Sequence, residues 1–596
     1  MNIPRADTGS GMGNMQEHLS DPGDRARLLA LPPRPDLVGE QMSREDISRL
    51  NTVAMPAIRP AKNAWRQDLF LDFASEDITS QITFQIPVIH VGLDDQQQDL
   101  AGTASGAAIA GTGDIIFAAL KYGSNVVMTN IVSQSIYGMY MTAYTSAAVV
   151  GSIAVLGLDF TMIRFLATYR AKNEPGHAAG LLRFVVWMTL ISGLLSGALF
   201  YLSAAALAHL VYHHDAYTLP LREVALLVTL VALQTVIASG LQAVKAIKSK
   251  ALTDRLIQPS LSLVLMGIFY LLGLRLEALT LAAVCGFVAS TIAGQLLLRK
   301  ASRPLVSGVA PSFDPRAWLR FALPMSLYSL IQAVLNSTDV LFLTIFATAA
   351  QVGLYAAADR TAMFAVMPLL ALSTMFSPLI AEYYAHQKYE QLNSLCSVVT
   401  KWALSLSFPI FLCCLIFRGA ILSIFSREYT AAGDALVILA FGNFIYACAG
   451  PMGNLLVMAG QTRVVLANTV ANILLNIGLG LLLVPRFNVT GAAVAAALSF
   501  IIPSVLTVCE AYWILKIIPF RWDMLKPVAA GGVASLAGLA LLEVIHVGYG
   551  YRALFEVLGL LIPFALVYVL MLAALRFSEE DMMVFETVRA RLKRKR

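Results

Sequence analysis

Four charged residues stand inside long apolar runs: Lys121 in FAALKYGSNVVMTN, Asp339 after Asn336-Ser337-Thr338, and the adjacent pair Asp359-Arg360. An ionisable group at the bilayer centre costs about 2.5–3.5 kcal/mol on insertion scales, so such groups pair with one another or face a wet cavity. Their chemistry is electrostatic: to hold an ion or a counter-charge where the dielectric is low. The segment around Lys121 also carries Asp114, Asn125 and Asn130, which makes it a poor lipid-facing wall and a good cavity wall. Bland readings stay open. Arg360 pairs with Asp359 or Asp339 as a structural lock, Lys121 snorkels to an interface, and Asp359 borders its helix. Glu543 and His546 are expected at an interface. His213-His214-Asp215 is a weak metal pattern, and Asn488-Val489-Thr490 matches a glycan acceptor by chance. None of the six cysteines forms a C-x-x-C pair, and each is read as a small buried hydrophobe. The chain contains no Walker motif, nucleotide fingerprint, zinc spacing or catalytic triad. The expectation is a protein that is not an enzyme, with no cofactor and no metal.

The elements that hold these residues follow from composition. The chain has 596 residues, 58% hydrophobic and 13% charged, against about 45–50% and about 25% in soluble domains. A single core cannot bury that apolar fraction. A soluble enzyme, a nucleic-acid reader and a disulfide scaffold are excluded together, leaving an all-α polytopic membrane protein. Residues 1–110 differ, with 9 basic and 15 acidic side chains against 34 and 22 in the remainder. They are read as a polar, mostly disordered segment that stays cytoplasmic, because no signal-peptide pattern opens them. A docking tail and an overlong reading frame are the two explanations.

From 111 onward, fourteen stretches are long enough to span, near 111–132, 137–158, 182–208, 222–243, 256–273, 277–298, 318–346, 352–378, 397–417, 432–459, 464–484, 488–515, 527–547 and 552–575. With both termini cytoplasmic, 26 basic residues fall on the inner side and 6 on the outer. The basic tail anchors that topology and meets anionic lipid. No nucleic-acid partner is expected. Pro324, Pro368 and Pro378 are expected to bend the seventh and eighth spans.

The apolar body repeats itself. Tyr137-Gly138-Met139-Tyr140 and Val352-Gly353-Leu354-Tyr355 are offset by 215 residues, and the ends of the fourth and tenth spans are offset by 214. Six helices per half keep both halves in one orientation, a parallel repeat with a site between the halves. The expected organisation is a lobe over 111–298, a linker over 299–317, a second lobe over 318–515, two extra helices within 516–580 and a basic tail over 581–596.

Three runs carry a family resemblance: IYGMYMTAYTSAAVVGSIAVLGLDFTMIRFLATYR (136–170), LRFALPMSLYSLIQAVLNSTDVLFLTIFATAAQVGLYAAADR (319–360) and NVTGAAVAAALSF (488–500). Over about 111–580 the chain resembles the polysaccharide transporter family of the multidrug/oligosaccharidyl-lipid/polysaccharide exporter superfamily. The resemblance implies a flippase for an undecaprenyl-diphosphate-type lipid-linked oligosaccharide in the bacterial plasma membrane. It implies two lobes working by alternating access, with glycan polymerase and glycosyltransferases as partners and H+ or Na+ as coupling ion. For that cargo, Lys121 and Arg360 are the phosphate cations, one per lobe, and Arg164 stands at the cytoplasmic mouth. Tyr122, Asn125, Tyr328, Gln332 and Asn336 are the polar and aromatic wall for sugar, and Asp339 is the ion-coupling acid. The family usually carries Arg where Lys121 stands, and Lys lacks the bidentate fork. Three other functions stay open: an ion-coupled small-molecule antiporter of the same superfamily, a membrane polymerase or ligase, and an assembly scaffold.

Overall fold

The computed structural model describes residues 118–575 except 275, 520 and 546. Residues 1–110, Asp114, His546 and the tail 581–596 lie outside the described residues. Those described form helices joined by turns and short irregular links, with no strand. The helices are α1 (118–131), α2 (Gln134–Ala154), α3 (Leu158–Lys172), α4 (Pro175–Ala206), α5 (Ala225–Ala243), α6 (Gln258–Leu271), α7 (Leu276–Val306), α8 (Pro315–Leu335), α9 (Thr338–Phe346) and α10 (Ala349–Ala362). They continue with α11 (Met367–Ala385), α12 (Tyr389–Ile416), α13 (Gly433–Met458), α14 (Thr462–Leu515), α15 (Leu525–Val544) and α16 (Tyr551–Ala574).

Among the described residues nine helices are long and apolar enough to cross a membrane, or eleven when two bent pairs each count as one span. Three of the fourteen expected spans do not register separately. α1 begins at the edge of the described residues, α6 has only 14 residues, and α14 runs through two spans. α14 breaks at Asn488 (φ 48°, ψ −121°), at the boundary expected between the last two spans of the repeat.

Local chemistry places the other breaks. The expected span 318–346 is divided: α8 ends at Asn336 and α9 starts after Ser337, where the Thr338 hydroxyl donates back to the Val334 carbonyl. Polar side chains that bond locally compete with helix continuation. α2 and α3 meet at a 45° bend through Gly157 (φ 70°). A Cβ there would lie 2.3 Å from the Ala322 carbonyl oxygen of α8, so glycine lets the two backbones touch. Pro368 opens α11, after a 44° bend between 349–365 and 367–373. Pro324 lies inside α8 and Pro378 inside α11.

Each half is organised around its fourth span. α5 packs on α2, α3, α4 and α7, and 72% of its apolar window is buried. α13 packs on α10, α11, α12 and α14, with 61% of its window buried. The halves meet where α2 crosses α10. A Cβ on Gly138 would come within 1.7 Å of the Ala349 carbonyl oxygen, and one on Gly353 within 2.5 Å of that of Gln134. The repeated glycine is thus the crossing point of the two repeats. The Thr142 and Thr344 hydroxyls, 2.9 Å apart, link α2 to α9 beside it. α15 and α16 pair with each other, and α15 packs on α12, with Gly531 against Phe408 and Gly538 against Phe417 and Phe564.

Candidate functional site

Lys121, Ser124, Asn125 and Met128 recur at i, i+3, i+4 and i+7, one stripe of α1. That stripe lines a cavity of about 250 Å³. α2 adds Tyr140, Met141 and Tyr144, α5 adds Gln234, and α7 adds Ala283 and Phe287. Asp254 enters from the π-helical turn Leu252–Ile257, followed by Gln258, Pro259 and Ser262 of α6. One residue of the second half completes the lining: Arg360 of α10. The two cations expected from separate halves therefore face one cavity.

Both belong to a charge cluster. Arg360 Nη1 lies 3.7 Å from the Asp359 carboxylate, and their side chains are 23% and 24% exposed. Lys121 lies within electrostatic reach of Arg360 and Asp359. Asp339 lies within reach of Arg360 and Asp359, and its carboxylate accepts a hydrogen bond from the buried Tyr355 hydroxyl. Two positive and two negative groups thus face one another where the dielectric is low. The pairing expected of Arg360 is present, and so is its exposure to the cavity.

The remaining expected residues separate into two groups. Asn125 lines the cavity, yet it is also committed within the fold: its amide donates to the Lys121 carbonyl at 2.6 Å, and its oxygen accepts from Tyr137 at 2.7 Å. Tyr122 turns away from the cavity. Its ring meets Phe364 and Phe425 edge-on at 5.1 and 5.4 Å, and its hydroxyl accepts from Thr361 at 3.5 Å. Arg164, Tyr328, Gln332 and Asn336 are not among the cavity's lining residues. The Arg164 guanidinium sits 4.5 Å over the Phe321 ring, joining α3 to α8. Tyr328, Gln332 and Asn336 recur every four residues along α8, the Tyr328 hydroxyl accepting from Gln332 at 3.0 Å. Only 11% of the α8 apolar window is buried, so this stripe is open rather than packed.

Sequence reasoning missed the α5–α6 wall. Gln234 donates to Asp254, and Thr291 donates to the Gln234 oxygen at 3.4 Å. Gln234 was legible as an amide within the fourth span, whereas Asp254 was hidden among basic linker residues. No group of three or more His, Cys, Asp or Glu able to hold a metal occurs among the described residues, and His213-His214-Asp215 forms none. At the far end of α1, Asn130 donates to the Ile424 carbonyl at 2.8 Å. Beside it, the Gly550 amide donates to the Ser423 carbonyl at 2.9 Å.

Residues 103–384 match the family model described as polysaccharide biosynthesis protein, and 324–482 match the MatE model. The probable low-salt glycan biosynthesis flippase Agl15 of Haloferax volcanii is 28% identical over 257 residues, 42% of this chain and 52% of that protein. The chain thus spans about half the length of the curated relative it matches. Among solved structures, the lipid II flippase MurJ in an inward closed conformation aligns with a TM-score of 0.56 at 13% identity, covering 77% of this chain and 98% of that one. An inward-facing multidrug resistance MATE family transporter of the MOP superfamily aligns at 0.55 and 15%, covering 67% and 94%. At these identities the two structures speak for the fold.

Proposed function

We propose that this chain, which matches the polysaccharide biosynthesis and MatE family models and resembles a glycan flippase, flips a lipid-linked oligosaccharide across a plasma membrane. The observation that carries the proposal is the cavity lined by Lys121 from one half and Arg360 from the other. A diphosphate leaving the headgroup region loses its hydration, and charge-assisted hydrogen bonds from two cations offset that loss. Asp359 and Asp339 balance those cations while cargo is absent. A coupling cation, H+ or Na+, that neutralises the Asp339 carboxylate releases positive charge for the phosphates, which links the ion to the cargo. The open stripe Tyr328, Gln332 and Asn336, with Arg164 on the neighbouring α3, serves as the polar wall for the rest of the glycan. Both termini stand in the cytoplasm of a bacterial cell, where the cargo is assembled. Glycosyltransferases supply the cargo, and a glycan polymerase consumes it on the other side.

The reading is supported by the match to the polysaccharide biosynthesis model and by the similarity to a protein named as a glycan biosynthesis flippase. The second reading, an ion-coupled small-molecule antiporter, draws on the MatE match over 324–482 and on the acidic pair. The test that separates them uses vesicles holding the purified protein. Movement of a fluorescent diphosphate-linked oligosaccharide between leaflets, with no ion-driven efflux of cationic dyes, upholds the flippase. Dye efflux without lipid movement transfers the assignment to the antiporter.

A further inference from the structure

The cavity is chemically two-sided. Its α1–α10 side presents Lys121 and Arg360, while its α5–α6 side presents a carboxylate and two amides, Asp254, Gln234 and Gln258. Asp254 is held in place rather than loose. It accepts from Gln234 and, at 3.2 Å, from the Thr253 hydroxyl. The π-helical turn that carries it is fastened to α7, where Ser290 donates to the Thr253 carbonyl at 2.8 Å. Single π-turns recur at functional sites because they turn a side chain off the regular helical face. Between the two sides runs an aromatic wall. Tyr140 and Tyr144 have ring centroids 6.0 Å apart, and Tyr144 and Phe287 have centroids 6.5 Å apart. A separate sign of an unfilled polar requirement is Ser124, which lines the cavity at 8% exposure while its hydroxyl has no hydrogen-bond partner. Buried polar groups are normally satisfied.

Resting on the flippase reading above, we propose that Asp254 and Gln234 form a sugar-hydroxyl subsite that reads the one sugar next to the diphosphate. An ionised carboxylate is acceptor-only and takes two hydroxyl donors, and a neighbouring amide both donates and accepts. The aromatic wall faces the apolar C–H side of a sugar ring. A carboxylate repels phosphate, so it orders the cargo, with phosphates against Lys121 and Arg360 and the neutral, hydroxyl-rich ring against Asp254. The volume sets the reach. About 250 Å³ is just below the ~300–1,000 Å³ of ordinary small-molecule pockets, room for one ring with its phosphates and not for a glycan chain. Selectivity is therefore for the first sugar, and the rest of the chain lies outside this cavity.

The test measures binding to the full-length protein in detergent. The probes are a short-chain polyprenyl diphosphate bearing one glucose, galactose, N-acetylglucosamine or N-acetylgalactosamine, and the same lipid without sugar. The native protein is expected to bind at least one sugar-bearing probe tenfold or more tighter than the bare lipid. Asp254→Asn, which keeps shape, and Gln234→Ala are expected to reduce that ratio about tenfold without changing affinity for the bare lipid. Lys121→Ala is expected to weaken both probes alike. A native protein indifferent to sugar overturns the proposal, as does an Asp254→Asn protein that loses both probes equally or neither. A native protein that binds no diphosphate lipid at all overturns the flippase reading itself.

Discussion

At the residue scale, the Asp339–Tyr355 pair is the most exposed to a single change. Tyr355 is fully buried, and its hydroxyl is the donor that meets the Asp339 carboxylate. Hydrogen bonds to charged groups are worth about 1.5–3 kcal/mol, so Tyr355→Phe is expected to lower the melting temperature of the purified protein by several degrees. An unchanged melting curve contradicts the pairing. Asp339→Asn is expected to remove the dependence of transport on an ion gradient while leaving cargo binding in place, read by flipping with and without an imposed gradient. Lys121, Arg360 and Asp339 were legible in the sequence because a charge in an apolar run has few structural excuses. Tyr122 shows what spacing cannot tell: one position from Lys121, it faces Phe364 and Phe425 instead of the cavity. Asp254 escaped notice for the opposite reason. Beside Lys250 and Arg255 it reads as a linker charge, and only the π-helical turn brings it to the cavity wall.

At the element scale, the α2–α10 crossing depends on two absent side chains. Gly138→Ala places a methyl 1.7 Å from the Ala349 carbonyl oxygen, a separation that backbone must widen. The expected outcome is a lower melting temperature together with loss of transport. Gly123, on α1, has no atom within 4 Å of an added Cβ, so Gly123→Ala is expected to be neutral or to stabilise by up to about 1 kcal/mol through helix propensity. Equal effects at the two positions contradict the crossing. The glycine repeat was visible in the sequence as an offset of 215, and the structure supplies its reason, close backbone approach. Helix interiors were visible too, since apolar length marks them. The breaks at Asn336–Ser337 and Gly157 were less so, because each is set by local backbone chemistry or by a neighbouring helix rather than by hydrophobicity, whereas the break at Asn488 falls on an expected span boundary.

At the scale of the whole molecule, flipping requires the two halves to move against each other around a shared cavity. The Thr142 and Thr344 hydroxyls meet 2.9 Å apart across the junction, which makes these two positions the pair to cross-link. Thr142→Cys with Thr344→Cys is expected to stop transport when oxidised and to recover it on reduction, while either single variant stays active. Transport that continues through the oxidised bridge contradicts relative motion at this junction. The central claim is that one cavity, charged from both halves, carries an anionic lipid-linked glycan. Its most direct test is leaflet exchange of a labelled diphosphate-linked oligosaccharide in reconstituted vesicles, comparing the native protein with Lys121→Ala and Arg360→Ala. The account predicts that the native protein moves the lipid and that each variant, still folded, is slower by tenfold or more. Native-rate flipping by both variants contradicts it and reduces Lys121 and Arg360 to structural partners of Asp359.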